Sequence, residues 1–349
     1  MVSPSLGISR TLFLPDLIWA QDRRGRFRAF DRGEDPAGWL GRASADVPVV
    51  TQWDDGRHAG RAPGILATST ASEPSLVAGM LADLGPEPGQ RILDVGAGTG
   101  WTAALLTAVA GEGNVVGVEL DPAMARAARK RLRAAGVGTE IVTGDGAKGW
   151  AERGPYDRIH CAYGVLRIPA AWMEQTVAGS VIVVPWRTGF VRRGAVVRLV
   201  VQGDGTASGA FTRPAEVMQS RPERLTWPPP IDYLPDTGTW PDGTVQSTTK
   251  LRVQDVDGAA AFIVGLRVPD AVFAASETGT AWLYSVSERS WAAVFSGHDE
   301  AEVYQCGARR LWDEVEAAYA WWRERGCPDI TRFGLTVEPH GETVWLDRA

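Results

Sequence analysis

From position 74 onward the apolar positions alternate between short unbroken runs and longer amphipathic stretches. RILDV (91–95), NVVGVE (114–119), TEIV (139–142), DRIHC (157–161) and SVIVVP (180–185) read as strands, and 74–84, 101–110, 122–135 and 170–177 read as helices. Apolar strands separated by helices suit a parallel sheet covered on both faces. AVVRLVVQGDGTASGAFT (195–212), turning at GDG, predicts a hairpin that adds antiparallel strands at the edge. The expected core is therefore an α/β, doubly wound, mostly parallel, Rossmann-like sheet of seven strands.

The flanks follow another pattern. Residues 1–60 mix short apolar runs, FLPDLIW (13–19) and PVVTQWDDG (48–56), with turn residues, and predict a β-rich N-terminal segment. RLTWPPPIDYLPDTGTWPDG (224–243) reads as a linker or extended crossing segment. Beyond it, AFIVGLRV (261–268) and TAWLYSV (280–286) read as strands, and ARRLWDEVEAAYAWWRER (308–325) as a helix with Leu311, Val315, Ala318 and Trp322 on one face. Gly326 and Pro328 stop that helix. The expected domains are 1–60, 61–222 for the doubly wound sheet, and an α+β domain over 223–349 with a role in peptide recognition or plain packing.

Composition narrows the function classes. The 349 residues carry a net charge of −6, which speaks against a nucleic-acid partner bound through a broad basic surface. No run reaches the roughly 20 apolar residues of a membrane span, and the first residues lack a secretory signal, so a cytoplasmic location without membrane partners is expected. Three scattered cysteines and four scattered histidines suggest neither a disulfide framework nor a metal site. The sequence carries no signal for oligomeric state. Its fifteen tryptophans suit core packing, and also a surface that grips a peptide.

The candidate chemistry lies at three successive strand ends. ILDVGAGTGW (92–101) runs from a strand through Gly96, Ala97, Gly98, Thr99 and Gly100 into a helix, with Asp94 just before the turn, so that backbone can approach a ligand closely. Trp101 occupies the place of the third glycine of a nicotinamide dinucleotide fingerprint, which favours a cofactor without pyrophosphate. Glu119, followed by Leu120, offers a carboxylate to both ribose hydroxyls. Asp145 is placed to accept from an adenine amino group, and Gly146 to donate its N–H to a ring nitrogen. Together they point to S-adenosylmethionine.

The stretch 68–190 resembles the protein L-isoaspartyl O-methyltransferase family. TSTASEPSL (68–76) is similar to its Thr-x-Ser-x-Pro segment, with Thr70, Ser72 and Pro74 in the matching places; GDGAKGW (144–150) and PYDRIHCAYGVLRIPAAWMEQTVAGSVIVVPW (155–186) resemble two further family blocks. Ser75 stands where many relatives have histidine, and Cys161 to Arg167 replace a run of small residues. Family members proper end near position 222. The VVTQWDDG segment and the tryptophan-rich C-terminal stretch with its VWLD ending resemble an actinobacterial branch that tailors ribosomally made peptides: graspetides, lanthipeptides or lasso peptides.

That resemblance implies methylation of an aspartate carboxylate in a macrocyclised precursor peptide, leading to aspartimide and isoaspartate. It makes Ser72 the hydroxyl that orients the acceptor, supported by Thr70; capping of the helix at Pro74 is the plainer role for Ser72. An ionised carboxylate needs no general base, so proximity and desolvation are the expected sources of rate. Trp101, Trp150 and Tyr163 are expected near the cleft, His160 is expected to be packed, and Arg167, Arg187, Arg192 and Arg193 are candidates for drawing in an acidic peptide. The rival functions are repair of isoaspartyl residues in damaged proteins, a peptide-binding scaffold with a degenerate methyltransferase fold, and methylation of a small-molecule carboxylate.

Overall fold

The computed structural model describes residues 7–224, 232–234, 239–276 and 278–347. Most of the 224–243 linker reading lies outside the described residues. The N-terminal part holds β1 (Leu17–Gln21), β2 (Phe27–Asp31), α1 (Pro36–Ser44), β3 (Val49–Trp53) and β4 (Ala67–Ala71), an antiparallel sheet in the order β2-β1-β3-β4. This β-rich unit runs past the expected boundary at 60 to Ala71. It also contains α1, whose buried face is only Trp39 and Ala43, too sparse to stand out as a period.

Then follow α2 (Pro74–Leu84), β5 (Ile92–Val95), α3 (Trp101–Ala110), β6 (Val115–Glu119), α4 (Pro122–Ala134), β7 (Glu140–Thr143), β8 (Tyr156–Cys161), α5 (Ala170–Glu174), β9 (Thr176–Trp186), β10 (Gly194–Val201) and β11 (Ala207–Ala215). The doubly wound expectation holds. Strands β7, β6, β5, β8 and β9 are parallel neighbours in that order, so the chain reverses direction across the sheet between β5 and β8, where such folds bind ligands. Leu93, Val95, Val118 and Ile159 bury one face against α5, while Ile92, Val115 and Val181 bury the other against α2 and α3.

The C-terminal part holds β12 (Val245–Thr249), α6 (Val253–Val256), α7 (Ala259–Arg267), β13 (Ala271–Ala275), β14 (Ala281–Ser285), β15 (Trp291–Phe295), β16 (Ala301–Cys306), α8 (Leu311–Glu324), β17 (Phe333–Glu338) and β18 (Gly341–Leu346). β12 to β16 form a separate antiparallel sheet in the order β12-β16-β15-β14-β13. The 223–349 expectation needs correction, because β17 pairs with β11 and carries β18 onto the main sheet, which thus has nine strands rather than seven. Pairing of β17 covers the edge that β11 would otherwise expose.

AFIVGLRV is α7, not a strand. Phe262, Ile263 and Leu266 pack into the main core, while Val264 and Val268 pack against the second sheet. A helix buried between two cores is apolar nearly all round and loses the polar stripe that marks its period. α8 is split similarly. Leu311, Val315 and Ala318 face the second sheet, as does Trp312, whereas Trp321 and Trp322 pack toward the main core. Each of its tryptophans touches one core or the other, Trp321 and Trp322 remaining partly exposed. No helix among the described residues is long and apolar enough to cross a membrane.

Candidate active site

The site is an open cleft at the carboxyl ends of β5, β6, β7 and β8, with about 750 Å³ of free space counting the solvent at its mouth. Its lining takes Gly96 and Gly98 from the turn after β5, Glu119 and Leu120 from the end of β6, Asp145 and Gly146 after β7, and Ala162 and Tyr163 after β8. Thr68, Ser69 and Thr70 of β4 form the facing wall, and Met218 to Pro222 with Arg224 form the roof.

Glu119 is buried, with 8 % of its surface exposed, and Oε2 accepts the Gly98 N–H at 2.9 Å while Oε1 accepts that of Asp121 at 2.9 Å. Burial raises its pKa, against the lowering effect of these two donors. The first bond ties the glycine turn to the second strand, and each oxygen keeps a lone pair for a further donor. Gly98 has φ +54° and Gly96 φ +76°, conformations that favour glycine. Asp145 Oδ1 accepts the Ala147 N–H at 3.0 Å, which fixes the carboxylate at the start of a short helical turn. A Cβ on Gly146 would collide with Val95, so only glycine lets this turn lie against the sheet.

Five sequence-predicted residues stand behind this lining rather than in it: Ala97, Thr99 and Gly100 as the inner side of the turn, Asp94 beneath it, and Ser72 beside it. Asp94 is fully buried, and its Oδ1 lies 2.7 Å from His160 Nδ1. His160 is thus packed, as expected. Ser72 is half-buried one residue before the Glu73 cap of α2, and it does not cap that helix; the Ser75 N–H instead donates to Asp46 at 2.9 Å. Ser72 is held through its backbone. Buried Arg10 donates to the carbonyls of Ser72 at 2.8 Å, Ala45 at 2.8 Å, Val47 at 2.9 Å and Ala43 at 3.0 Å.

Thr70 reaches the cleft and its Oγ1 lies 3.5 Å from Met218 Sδ. Of the three aromatic candidates only Tyr163 lines the cleft; Trp101 donates to the Ile8 carbonyl at 3.0 Å, and Trp150 packs on the main core. Sequence reasoning missed Thr68, Ser69 and the whole roof. The roof is set by pairing of Gly164 with Gln219 and by contacts to the N-terminal sheet more than 150 residues away, for which there is no local motif.

Arg224 grips both oxygens of Asp55 at 3.0 and 3.1 Å, and Arg221 Nε adds a contact at 3.2 Å, so the roof is clasped to the N-terminal sheet. The Arg224 hydrogen bond is the main cause of the depressed Asp55 pKa. The clasp persists above the ordinary aspartate range and is lost as pH falls through the depressed value. Asp55→Ala is expected to speed cofactor release by about 3- to 10-fold with little change in association, as stopped-flow fluorescence would show.

The loop after β8 is held from the far end of the chain. Glu342 of β18 accepts the Ile168 N–H and the Trp186 Nε1–H, the latter at 2.9 Å, while Glu223 accepts the Leu166 N–H at 3.2 Å. Burial raises both carboxyl pKa values. The terminal hairpin therefore supports the site as well as closing the sheet. Arg187 is buried beside this loop, whereas Arg167, Arg192 and Arg193 are exposed. Among the described residues no group of three metal-binding side chains occurs.

A doubly wound sheet with a glycine turn, a ribose-competent acid and an adenine-competent acid at three successive strand ends defines an S-adenosylmethionine-dependent methyltransferase. Residues 54–210 match the model of the family Protein-L-isoaspartate(D-aspartate) O-methyltransferase (PCMT). The protein-L-isoaspartate O-methyltransferase of Methylorubrum populi is 34 % identical over 146 residues, 42 % of this chain and 68 % of that one; the enzyme of that name from Thermotoga maritima is 35 % identical over 147 residues, 42 % of this chain and 44 % of that one. The chain belongs to the protein-L-isoaspartate O-methyltransferase family, and is by class an S-adenosylmethionine-dependent carboxyl O-methyltransferase.

A solved structure named as a protein-L-isoaspartate O-methyltransferase superposes with a TM-score of 0.55 at 21 % identity, covering 99 % of this chain and 96 % of that one. One protein of that name thus extends well past the position, 222, near which family members are expected to end. A fold of this full length is shared with a protein of that name, so the C-terminal third does not by itself mark a peptide-tailoring branch.

Proposed function

We propose that the chain methylates the side-chain carboxylate of an aspartate in a modified, macrocyclised ribosomal precursor peptide. The observation that carries this reading is where the chain departs from the family pattern. The glycine turn, Glu119 and Asp145 are present, whereas by the family resemblance Ser75 stands where many relatives have histidine, and Tyr163, which lines the cleft, falls in a stretch where they carry small residues. The cofactor side is kept and the acceptor side is changed. The three free cysteines suit a reducing compartment, in keeping with a cytoplasmic enzyme.

In this reading Glu119 accepts from the ribose hydroxyls, Asp145 and Gly146 meet the adenine edge, and the turn Gly96 to Gly100, backed by Asp94, receives the methionine portion beside Leu120. S-adenosylmethionine supplies, when bound, an electrophilic methyl group. Ser72 and Thr70 orient the acceptor carboxylate, and β4 with the roof excludes water, which strips the nucleophile of hydration. No residue need remove a proton. The methyl ester is then attacked by the next backbone nitrogen, with methanol leaving and that nitrogen losing its proton, and water opens the resulting aspartimide to isoaspartate.

The names of the relatives favour a second reading, methylation of isoaspartyl residues in damaged proteins. Three peptides separate the two: a linear aspartyl peptide, the same sequence closed by a lactam, and its isoaspartyl isomer, each followed by mass spectrometry. The proposal expects ester and then methanol loss on the closed peptide; preference for the isoaspartyl isomer would reject it. On the preferred acceptor, Ser72→Ala is expected to lower kcat about 100-fold with cofactor affinity within about twofold.

A further inference from the structure

One polar side chain joins three walls of the cleft without lining it. Gln52 lies on β3 of the N-terminal sheet and is half-buried. Its Nε2 donates at 2.7 Å to Oδ2 of Asp121, two residues past Glu119 at the tip of β6. Its Oε1 accepts from the Thr68 hydroxyl of β4 at 3.0 Å and from Arg221 Nη2 of the roof at 2.9 Å. With two donors on one side and a carboxylate on the other, the amide has a single orientation that satisfies all three partners.

Each partner bears on the proposed cofactor site. Thr68 and Arg221 line the cleft, and the Asp121 N–H donates at 2.9 Å to Oε1 of Glu119, the acid assigned to the ribose. Asp121 also starts α4: its Oδ1 accepts the N–H groups of Ala123 at 2.8 Å and Met124 at 3.2 Å, which leaves Oδ2 to Gln52. Burial works against the Asp121 charge, and the Gln52 amide leads the contacts that nevertheless hold its pKa below the ordinary aspartate range. Room for the amide comes from the turn after β3, where a Cβ on Gly56 would lie 3.0 Å from Gln52 Nε2. Gln52 and Arg221 both fall outside residues 54–210, the stretch that matches the family model. The bridge therefore runs from the matched core to the flanking segments on both sides.

We propose that Gln52 is a positioning residue for the cofactor, setting the β6 tip, the facing wall and the roof at their working distances so that Glu119 meets the ribose. This rests on the cofactor placement proposed above. The N-terminal sheet is in this way a working part of the cofactor site.

The test exchanges the polarity of the Gln52–Asp121 bond. Gln52→Glu keeps an oxygen for Thr68 and Arg221 but sets a second carboxylate against Asp121. Asp121→Asn in the same chain restores a donor there, with its own Oδ1 still free to cap α4. In calorimetric titration of the full chain with S-adenosylhomocysteine, Gln52→Leu and Gln52→Glu are expected to bind about 5- to 20-fold more weakly than wild type. The double variant, Gln52→Glu with Asp121→Asn, is expected to return to within about threefold of it. Titration stoichiometry reports the folded fraction separately, so a loss of stability alone leaves the affinity unmoved. If the leucine variant fails to fold, the glutamate and double variants carry the test. Wild-type affinity in Gln52→Leu overturns the inference, as does a double variant that binds no better than Gln52→Glu. Wild-type protein that does not bind the nucleoside removes the cofactor placement itself, a result distinct from either.

Discussion

Glu119→Ala is expected to weaken S-adenosylmethionine binding by about 100-fold, read by calorimetry, with the fold retained. Two hydrogen bonds from ribose hydroxyls to a buried charged acceptor contribute about 1.5–3 kcal/mol each at most, and non-additivity brings the sum nearer 3. The variant also frees the Gly98 N–H that Oε2 now accepts, so the glycine turn loosens as well. A pH dependence accompanies this. Burial raises the Glu119 pKa above the ordinary glutamate range, and the proton-bearing form can no longer accept at both oxygens. Cofactor affinity should therefore fall as pH drops through the raised value, and Glu119→Gln should bind weakly without that dependence. The effect on folding has the opposite sign. Between the unfolded and folded pKa values the folded chain holds the extra proton, so its stability decreases as pH rises through that window.

Arg10→Ala is expected to destabilise the N-terminal sheet by about 3–5 kcal/mol, measured by urea denaturation. The guanidinium is buried among main-chain carbonyls from two separate segments, 42–47 and 71–72, with no carboxylate within ion-pair distance among the described residues. Removing it leaves several carbonyls without a donor in a place water reaches poorly. Arg10→Lys keeps the charge but lacks the planar fork, so an intermediate loss is expected. Because one of those carbonyls belongs to Ser72, the lysine variant should also lose kcat while keeping its cofactor affinity.

How much of this could be read from sequence depended on whether the determinant was local. α2 and α3 fall at 74–84 and 101–110 as the apolar spacing predicts, and the five parallel strands lie within a few residues of their apolar runs. Those segments bury one consistent face, or both faces, against a single sheet. The glycine turn, Glu119 and Asp145 were legible for the same reason: each sits where a strand ends, and strand ends at a chain reversal converge. α7 was misread because two different cores claim opposite sides of it. The β17–β18 hairpin was assigned to the wrong unit because its partner, β11, lies more than 100 residues earlier.

The acceptor side was the least legible. Ser72 is distinguished by family resemblance alone, and the structure sets it beside the cleft lining, held through its carbonyl by a residue 62 positions away. Arg221 and Arg224 sit in no motif, yet their pairing with Asp55, 166 and 169 positions earlier, makes them the roof of the cleft. Long-range ion pairs and crossing segments leave no periodic trace in a sequence.

The most direct measurement is a crystal structure of the full chain with S-adenosylhomocysteine. The account predicts ribose hydroxyls on Glu119 and the adenine edge at Asp145 and Gly146, with the sulfur facing β4. Electron density for the nucleoside in any other cleft, or in this one with the ribose away from Glu119, would contradict it.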